Sequence, residues 1–247
     1  MKKYSFKIGK INLHFTFFFF LFLALISGRI QPFFFLFLFA LIHELFHFFT
    51  ALFFKVRIEY FTILPFGFSL KTEPLINYEW YKELIIVIMG PISYFFSYFV
   101  IKVMFNINLI SLVGLENAKQ ANLFILLFNL LPIIPLDGGK IIKILLGFFI
   151  TEKKCMKICG LISFCFLIIY LFIMPLQITI YFFLIYSQTE YWYYFKSNYL
   201  LFLVSRLKEF KLRIKMHKKN DLYRNYHNIL LKNGEIYSES DYICDLI

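Results

Sequence analysis

Long apolar runs recur along this chain and fix what it can fold into. Residues 11–29 read INLHFTFFFFLFLALISGR and residues 32–54 read PFFFLFLFALIHELFHFFTALFF; comparable stretches lie at 84–105, 120–136, 156–174 and 176–195. A helix crosses the hydrocarbon of a bilayer with about 20 residues, so six such runs make an all-α polytopic membrane protein with about six transmembrane helices. Composition agrees. Of 247 residues 60% are hydrophobic, 22% aromatic and only 17% charged, and the mean hydropathy is +0.71. Soluble domains carry about a quarter charged residues.

Net charge is +11, which raises the question of nucleic acid. The basic residues fall between the apolar runs and in the tail, where topology signals belong, and no base-reading motif accompanies them. The partner of this charge is the bilayer surface, not nucleic acid. With the N-terminus in the cytoplasm, Lys2, Lys3, Lys7 and Lys10, then Lys55, Arg57, Lys71 and Lys82, then Lys140, Lys143, Lys153, Lys154 and Lys157 all fall on the cytoplasmic side. The external turns hold only Arg29 and Lys119, so both termini are expected in the cytoplasm. The first run is too long for a signal-peptide core and no small-residue cleavage site follows it, so it reads as a retained span. Three of the four cysteines (Cys155, Cys159, Cys165) sit in or beside one apolar run and, with Cys244, read as reduced packing residues.

Two stretches interrupt the helical pattern. Residues 57–72, RIEYFTILPFGFSLKT, alternate in places and are punctuated by Pro65 and Gly67, which predicts a short membrane-associated hairpin. In FNLLPIIPLDGGK, Pro132 and Pro135 remove backbone donors, which predicts a break near the cytoplasmic end of the fourth span. Irregular backbone at membrane depth is tolerated only where protein buries it or it lines a wet cavity. A membrane domain over 1–196 is therefore expected. Residues 197–247 follow as a basic linker and a small cytoplasmic C-terminal segment, with a strand, a turn and a strand or short helix in HNILLKNGEIYSESDYICDLI.

Inside the second run, LIHELFHFFT places His43, Glu44 and His47 in the pattern H-E-x-x-H. Positions i and i+4 share a helix face, so both imidazoles can reach one ion, with Glu44 about 100° round from His43 and able to act on a water at that ion. An ionisable group at a helix centre costs about 2.5–3.5 kcal/mol on insertion scales, so three of them in five residues require compensation. A divalent metal, Zn2+ above all, supplies it. A catalytic zinc takes about three protein ligands, and Asp137, at the broken end of the fourth span, is the candidate third. His47 lies about 10 Å from the cytoplasmic end of its run at 1.5 Å per residue, near the depth expected for Asp137. Other readings of the same residues are a buried polar cluster joining helices, a metal or proton transport pathway, an inactive scaffold, and Asp137 as a helix cap.

HELFH, GPISYFF and FNLLPIIPLDGGK together resemble the site-2 protease family of intramembrane zinc metalloproteases over most of residues 1–195, and more closely its sporulation subgroup, the stage IV sporulation protein FB type. The resemblance implies zinc held by His43, His47 and Asp137, with Glu44 as general base. It implies that Asn129 and Pro135 help hold the substrate segment and that Gly90 and Pro91 pack the core. It further implies an endopeptidase cutting a membrane-associated precursor near the cytoplasmic face, most closely a pro-sigma factor in the mother-cell membrane around the forespore, held silent by membrane inhibitor proteins. An anti-sigma factor or a signal-peptide remnant is the alternative substrate. Sporulation members commonly carry a C-terminal nucleotide-sensing module; the segment resembling it here is short, which argues against ATP sensing and for a reduced docking segment.

Overall fold

The computed structural model describes residues 5–8, 11–14, 18, 21–22, 25–28, 30–64, 67–72, 79–173, 178–207, 213–217, 221–232 and 235–244, with side chains for most of them. The fold is mostly helical and falls into two compact units, one of residues 1–75 and 85–130, the other of 76–84 and 131–247.

The first unit is organised by three helices, α1 (Ile30–Phe53), α2 (Trp80–Asn106, whose first turn belongs to the second unit) and α3 (Leu112–Asn129). The buried residues of α1 are Phe35, Phe39, His43, His47 and Ala51, a spacing of four that makes one continuous stripe. Phe34, Phe49 and Phe53 lie exposed on other faces, as lipid-facing side chains do. α3 begins at Ser111, whose hydroxyl accepts the Gly114 N–H at 3.2 Å and caps the helix. Its inner face, Gly114, Ala118, Ala121, Asn122 and Ile125, is built mainly of small residues, which let backbones approach closely in lipid. Ala118, Ala121 and Ile125 close a core with Phe35 and Phe39 of α1 and Ile101 of α2.

A four-stranded sheet completes this unit, in the order β1 (Ser5–Ile8), β2 (Ile11–His14), β3 (Ile58–Leu64), β4 (Gly67–Thr72). β3 and β4 form the antiparallel hairpin expected at 57–72, with Leu64 opposite Gly67 and a register shift between Ile58 and Tyr60. β4 is an edge strand, and it packs beside α1. The first predicted span needs correction at its start. Ile11–His14 is not membrane helix but the strand that pairs in parallel with β3. The alternating INLH suits a strand, and a strand needs partners that a single-sequence reading of an apolar run does not supply. Most of the rest of that span lies outside the described residues.

In the second unit, α4 (Asp137–Leu146), α5 (Glu152–Ile173), α6 (Ile178–Tyr193) and α7 (Phe195–Arg206) lead to a small sheet and a last helix. Here β5 (Arg213–His217) pairs in parallel with β6 (Tyr226–Lys232), and β6 pairs antiparallel with β7 (Glu235–Tyr237), before α8 (Glu239–Cys244). The two strands expected in the tail are present and are followed by a short helix; the turn expected between them, at residues 233–234, lies outside the described residues. Phe202, Leu203, Leu222, Leu230, Tyr242 and Ile243 form its core. Buried ion pairs reinforce it. Arg206 donates to both carboxylate oxygens of Glu239 at 2.6 and 3.1 Å, and Arg224 pairs with Glu83 in the first turn of α2.

Among the described residues three helices are long and apolar enough to cross a membrane: Ile30–Phe53, Trp80–Asn106 and Glu152–Phe172. The protein is an integral membrane protein, and the sheets qualify the all-α expectation.

Candidate metal centre

The site is built on α1. A helix rises 1.5 Å and turns about 100° per residue, so His43 and His47 stack one turn apart on the buried stripe, 6% and 7% exposed. One ligand atom from each of His43, Glu44 and His47 lies within 4.8 Å of the others, and this is the only such group among the described residues.

The ring of His47 is oriented from outside its helix. Its Nδ1 lies 2.7 Å from the carbonyl oxygen of Ile86 on α2. A carbonyl only accepts, so Nδ1 carries the proton and Nε2 keeps its lone pair. A second hydrogen bond of this kind, fixing tautomer and ring plane, is the usual support of a metal-binding histidine. The Nε2 atoms of His43 and His47 then face each other at 3.2 Å. Two imidazole nitrogens each about 2.0–2.1 Å from a tetrahedral zinc stand about 3.3–3.4 Å apart, so the pair is already spaced for one ion. The donor set, two imidazoles and a neighbouring carboxylate, fits zinc.

Gly90 makes this approach possible. A Cβ built on it would stand 2.2 Å from Nε2 of His47 and 2.8 Å from Cε1 of His43. The expectation that Gly90 packs the core is thus sharpened: it packs against the ligands themselves. Pro91 follows it inside α2 without a backbone donor, so the Val87 carbonyl lacks its helical partner.

The other predicted residues lie within their own segments. Asn129 is the last residue of α3, and its Nδ2 donates to the Ile125 carbonyl of the same helix at 3.0 Å. Residues 130–136 are irregular, as the two prolines require; the Ile134–Pro135 peptide is cis, and the Ile134 N–H donates to Ser163 Oγ at 3.0 Å. Asp137 opens α4, 3% exposed, and accepts from Lys140 Nζ at 3.1 Å. It is not the cap of that helix: the N-cap position is Leu136, with no side-chain bond. Gly139 is held by a close approach, since a Cβ there would stand 2.7 Å from the Ile133 carbonyl. All four cysteines are free thiols; Cys155 and Cys159 are buried, as expected of packing residues, whereas Cys165 and Cys244 are exposed and do not pack a core. Sequence reasoning missed three buried polar residues of the first unit, Ser93 and Asn122, each 3% exposed, and Ser97, 1% exposed. Their signal was a polar residue recurring at helical spacing (Ser93 and Ser97; Asn122 and Asn129) inside apolar helices.

No protein-family model matches the chain. It is 32% identical over 183 residues to Stage IV sporulation protein FB of Bacillus subtilis, covering 72% of this chain and 64% of that protein. It is 30% identical over 172 residues to a zinc metalloprotease of Methanocaldococcus jannaschii, covering 64% of this chain and 50% of that one. The chain therefore spans less than two thirds of the length of either relative. Among solved structures, it is similar to a site-2 protease from Methanocaldococcus jannaschii with a TM-score of 0.55 and 28% identity, over 86% of this chain and all of that one.

Proposed function

The chain belongs to the site-2 protease family of intramembrane metalloproteases, and on that premise we propose that it is a zinc-dependent endopeptidase that cuts a membrane-associated precursor near the cytoplasmic face. The observation that carries this reading is the 3.2 Å spacing of the His43 and His47 Nε2 atoms with the Glu44 carboxylate beside them.

In this reading His43, His47 and Asp137 hold the metal. Bound zinc supplies a Lewis acid that acidifies water and polarises a carbonyl. Glu44 takes the proton of the attacking water and delivers it to the leaving amine, the general acid–base role its position suits. Phe35 and Phe39, on the same stripe of α1, wall the site and keep it dry. A helical substrate hides its scissile carbonyl in an i to i+4 bond and must unwind first. The edge strand β4 beside α1 offers backbone partners to the extended chain, and Asn129 and Pro135 help hold it. The membrane domain is residues 1–196 with six crossings; residues 197–247 dock the substrate. The similarity to Stage IV sporulation protein FB supports a pro-sigma factor as that substrate, in the mother-cell membrane around the forespore and under membrane inhibitors.

Co-expression with a membrane-associated pro-sigma factor tests this. Wild-type chain yields the shortened product; Glu44→Gln binds zinc and yields none. Continued processing by Glu44→Gln overturns the enzyme reading, and zinc flux into proteoliposomes would put a transporter in its place.

A further inference from the structure

The polar chemistry of the first unit does not end at the histidines. A narrow cleft adjoins His43, bounded by Ser93 and Tyr94 of α2 and Asn122 of α3, with Phe39 and Ile125 as apolar walls. Asn122 and Ser93 are each 3% exposed, at a depth where polar side chains need a reason to be present. One donor of Asn122 has such a reason: Nδ2 gives a hydrogen bond to the Tyr94 carbonyl at 3.1 Å and ties α3 to α2. A primary amide has a second N–H and an oxygen with two lone pairs, and neither engages any described residue. The Ser93 hydroxyl is likewise unengaged, and one turn further along α2 the Ser97 hydroxyl is sealed from solvent without a partner. Helix packing alone accounts for one bond out of this set. The remaining capacity, a donor and an acceptor side by side, borders a metal ligand.

A peptide group carries the same pair. Once a substrate helix unwinds at the scissile bond, its N–H and C=O lose their own partners, and in a dry site each costs several kcal/mol unless the enzyme replaces them. We propose, resting on the protease reading above, that Asn122 binds the main chain of the unwound substrate segment beside the scissile peptide, with the Ser93 hydroxyl as its companion. Asn129, two turns later on α3, makes one bond of the same kind to its own helix, but it is Asn122 that lies beside His43. An amide suits the place because it offers donor and acceptor without a charge that would compete for the metal.

The test uses the full chain reconstituted in liposomes with a fluorogenic peptide containing the substrate's membrane segment. Asn122→Leu keeps the volume and removes the polar atoms. The expected result is a fall in kcat/KM of roughly 10-fold to 100-fold, carried largely by KM, with zinc per chain unchanged. Wild-type kinetics in Asn122→Leu, with wild type active, overturn the inference and leave the protease reading intact. An inactive wild type instead overturns the reading beneath it. A readout independent of turnover comes from Asn122→Cys in the Glu44→Gln background, cross-linked to peptides bearing one cysteine at successive positions. Cross-linking that peaks within two residues of the scissile bond supports the proposal. No peak above the yield given by the chain's own cysteines sinks it, including when Asn122→Leu fails to fold.

Discussion

A methyl group on Gly90 would lie 2.2 Å from Nε2 of His47, inside any allowed contact and on the atom that would bind the metal. The obstruction is not at the far end of a flexible chain. His47 is fixed by the Ile86 carbonyl four residues before Gly90 on the same helix, so the ring cannot turn aside without losing that bond.

Gly90→Ala should therefore remove zinc from the purified protein while the far-ultraviolet dichroism stays helical, since alanine is the better helix former. Metal analysis reads the first and dichroism the second. A Gly90→Ala protein with a full complement of zinc would refute the close approach.

Removing the metal isolates its contribution to stability. Zinc binds the folded centre, so it should raise the unfolding midpoint in detergent by a ligand-dependent increment, and a chelator should abolish that increment. In His43→Ala or His47→Ala the chelator should have no effect on the midpoint. A chelator shift that persists in both variants would place the zinc elsewhere.

Asp137→Ala should lower zinc content as well as activity if Asp137 is the third ligand. Asp137→Asn separates charge from shape, because it retains an oxygen and loses the negative charge, and zinc affinity should fall less than in the alanine variant. Unchanged zinc in Asp137→Ala would remove the residue from the ligand set.

Glu239 ties together the elements of the C-terminal segment. Its carboxylate accepts from Arg206, from the Asn228 N–H at 3.0 Å and from the Asn228 amide at 3.4 Å. Glu239→Ala strands a buried guanidinium and a buried N–H together and should cost about 3–5 kcal/mol locally. Limited proteolysis should then cut near residues 213–237 at lower protease concentration than in wild type. Arg206→Met combined with Glu239→Leu should restore much of the resistance, because no charge is left unpaired.

Arg224 should resist titration. Burial pulls its pKa down, but the neighbouring Glu83 and Glu152 carboxylates outweigh burial and hold it above the ordinary arginine value, so it stays charged. Arg224→Lys, which cannot reproduce the planar fork, should loosen the segment, and hydrogen exchange at 222–232 would report it.

Much of this was legible in the residues. Polar groups in hydrocarbon are costly enough that HELFH within a phenylalanine-rich run already implied a metal, and the period of the helix put both imidazoles on one face. Two prolines forced the break before Asp137, and Pro65 with Gly67 marked the hairpin. These are local rules, acting over a turn or two of chain. Ile11–His14 escaped them because a strand is decided by its partner, and that partner, β3, lies some fifty residues on. The tautomer of His47, the space left by Gly90 and the unspent amide of Asn122 escaped them too. Each depends on which atom of one helix faces which atom of another, a question of distances of a few ångströms that periodicity does not address. The sequence by itself determined the medium, the helical periods and the chemical inventory, because these follow from transfer free energies and backbone sterics residue by residue. Only the tertiary structure decided which ring nitrogen of His47 is bound to the Ile86 carbonyl and which is left for the metal, because packing two helices to contact distance is what selects one arrangement among those the sequence allows.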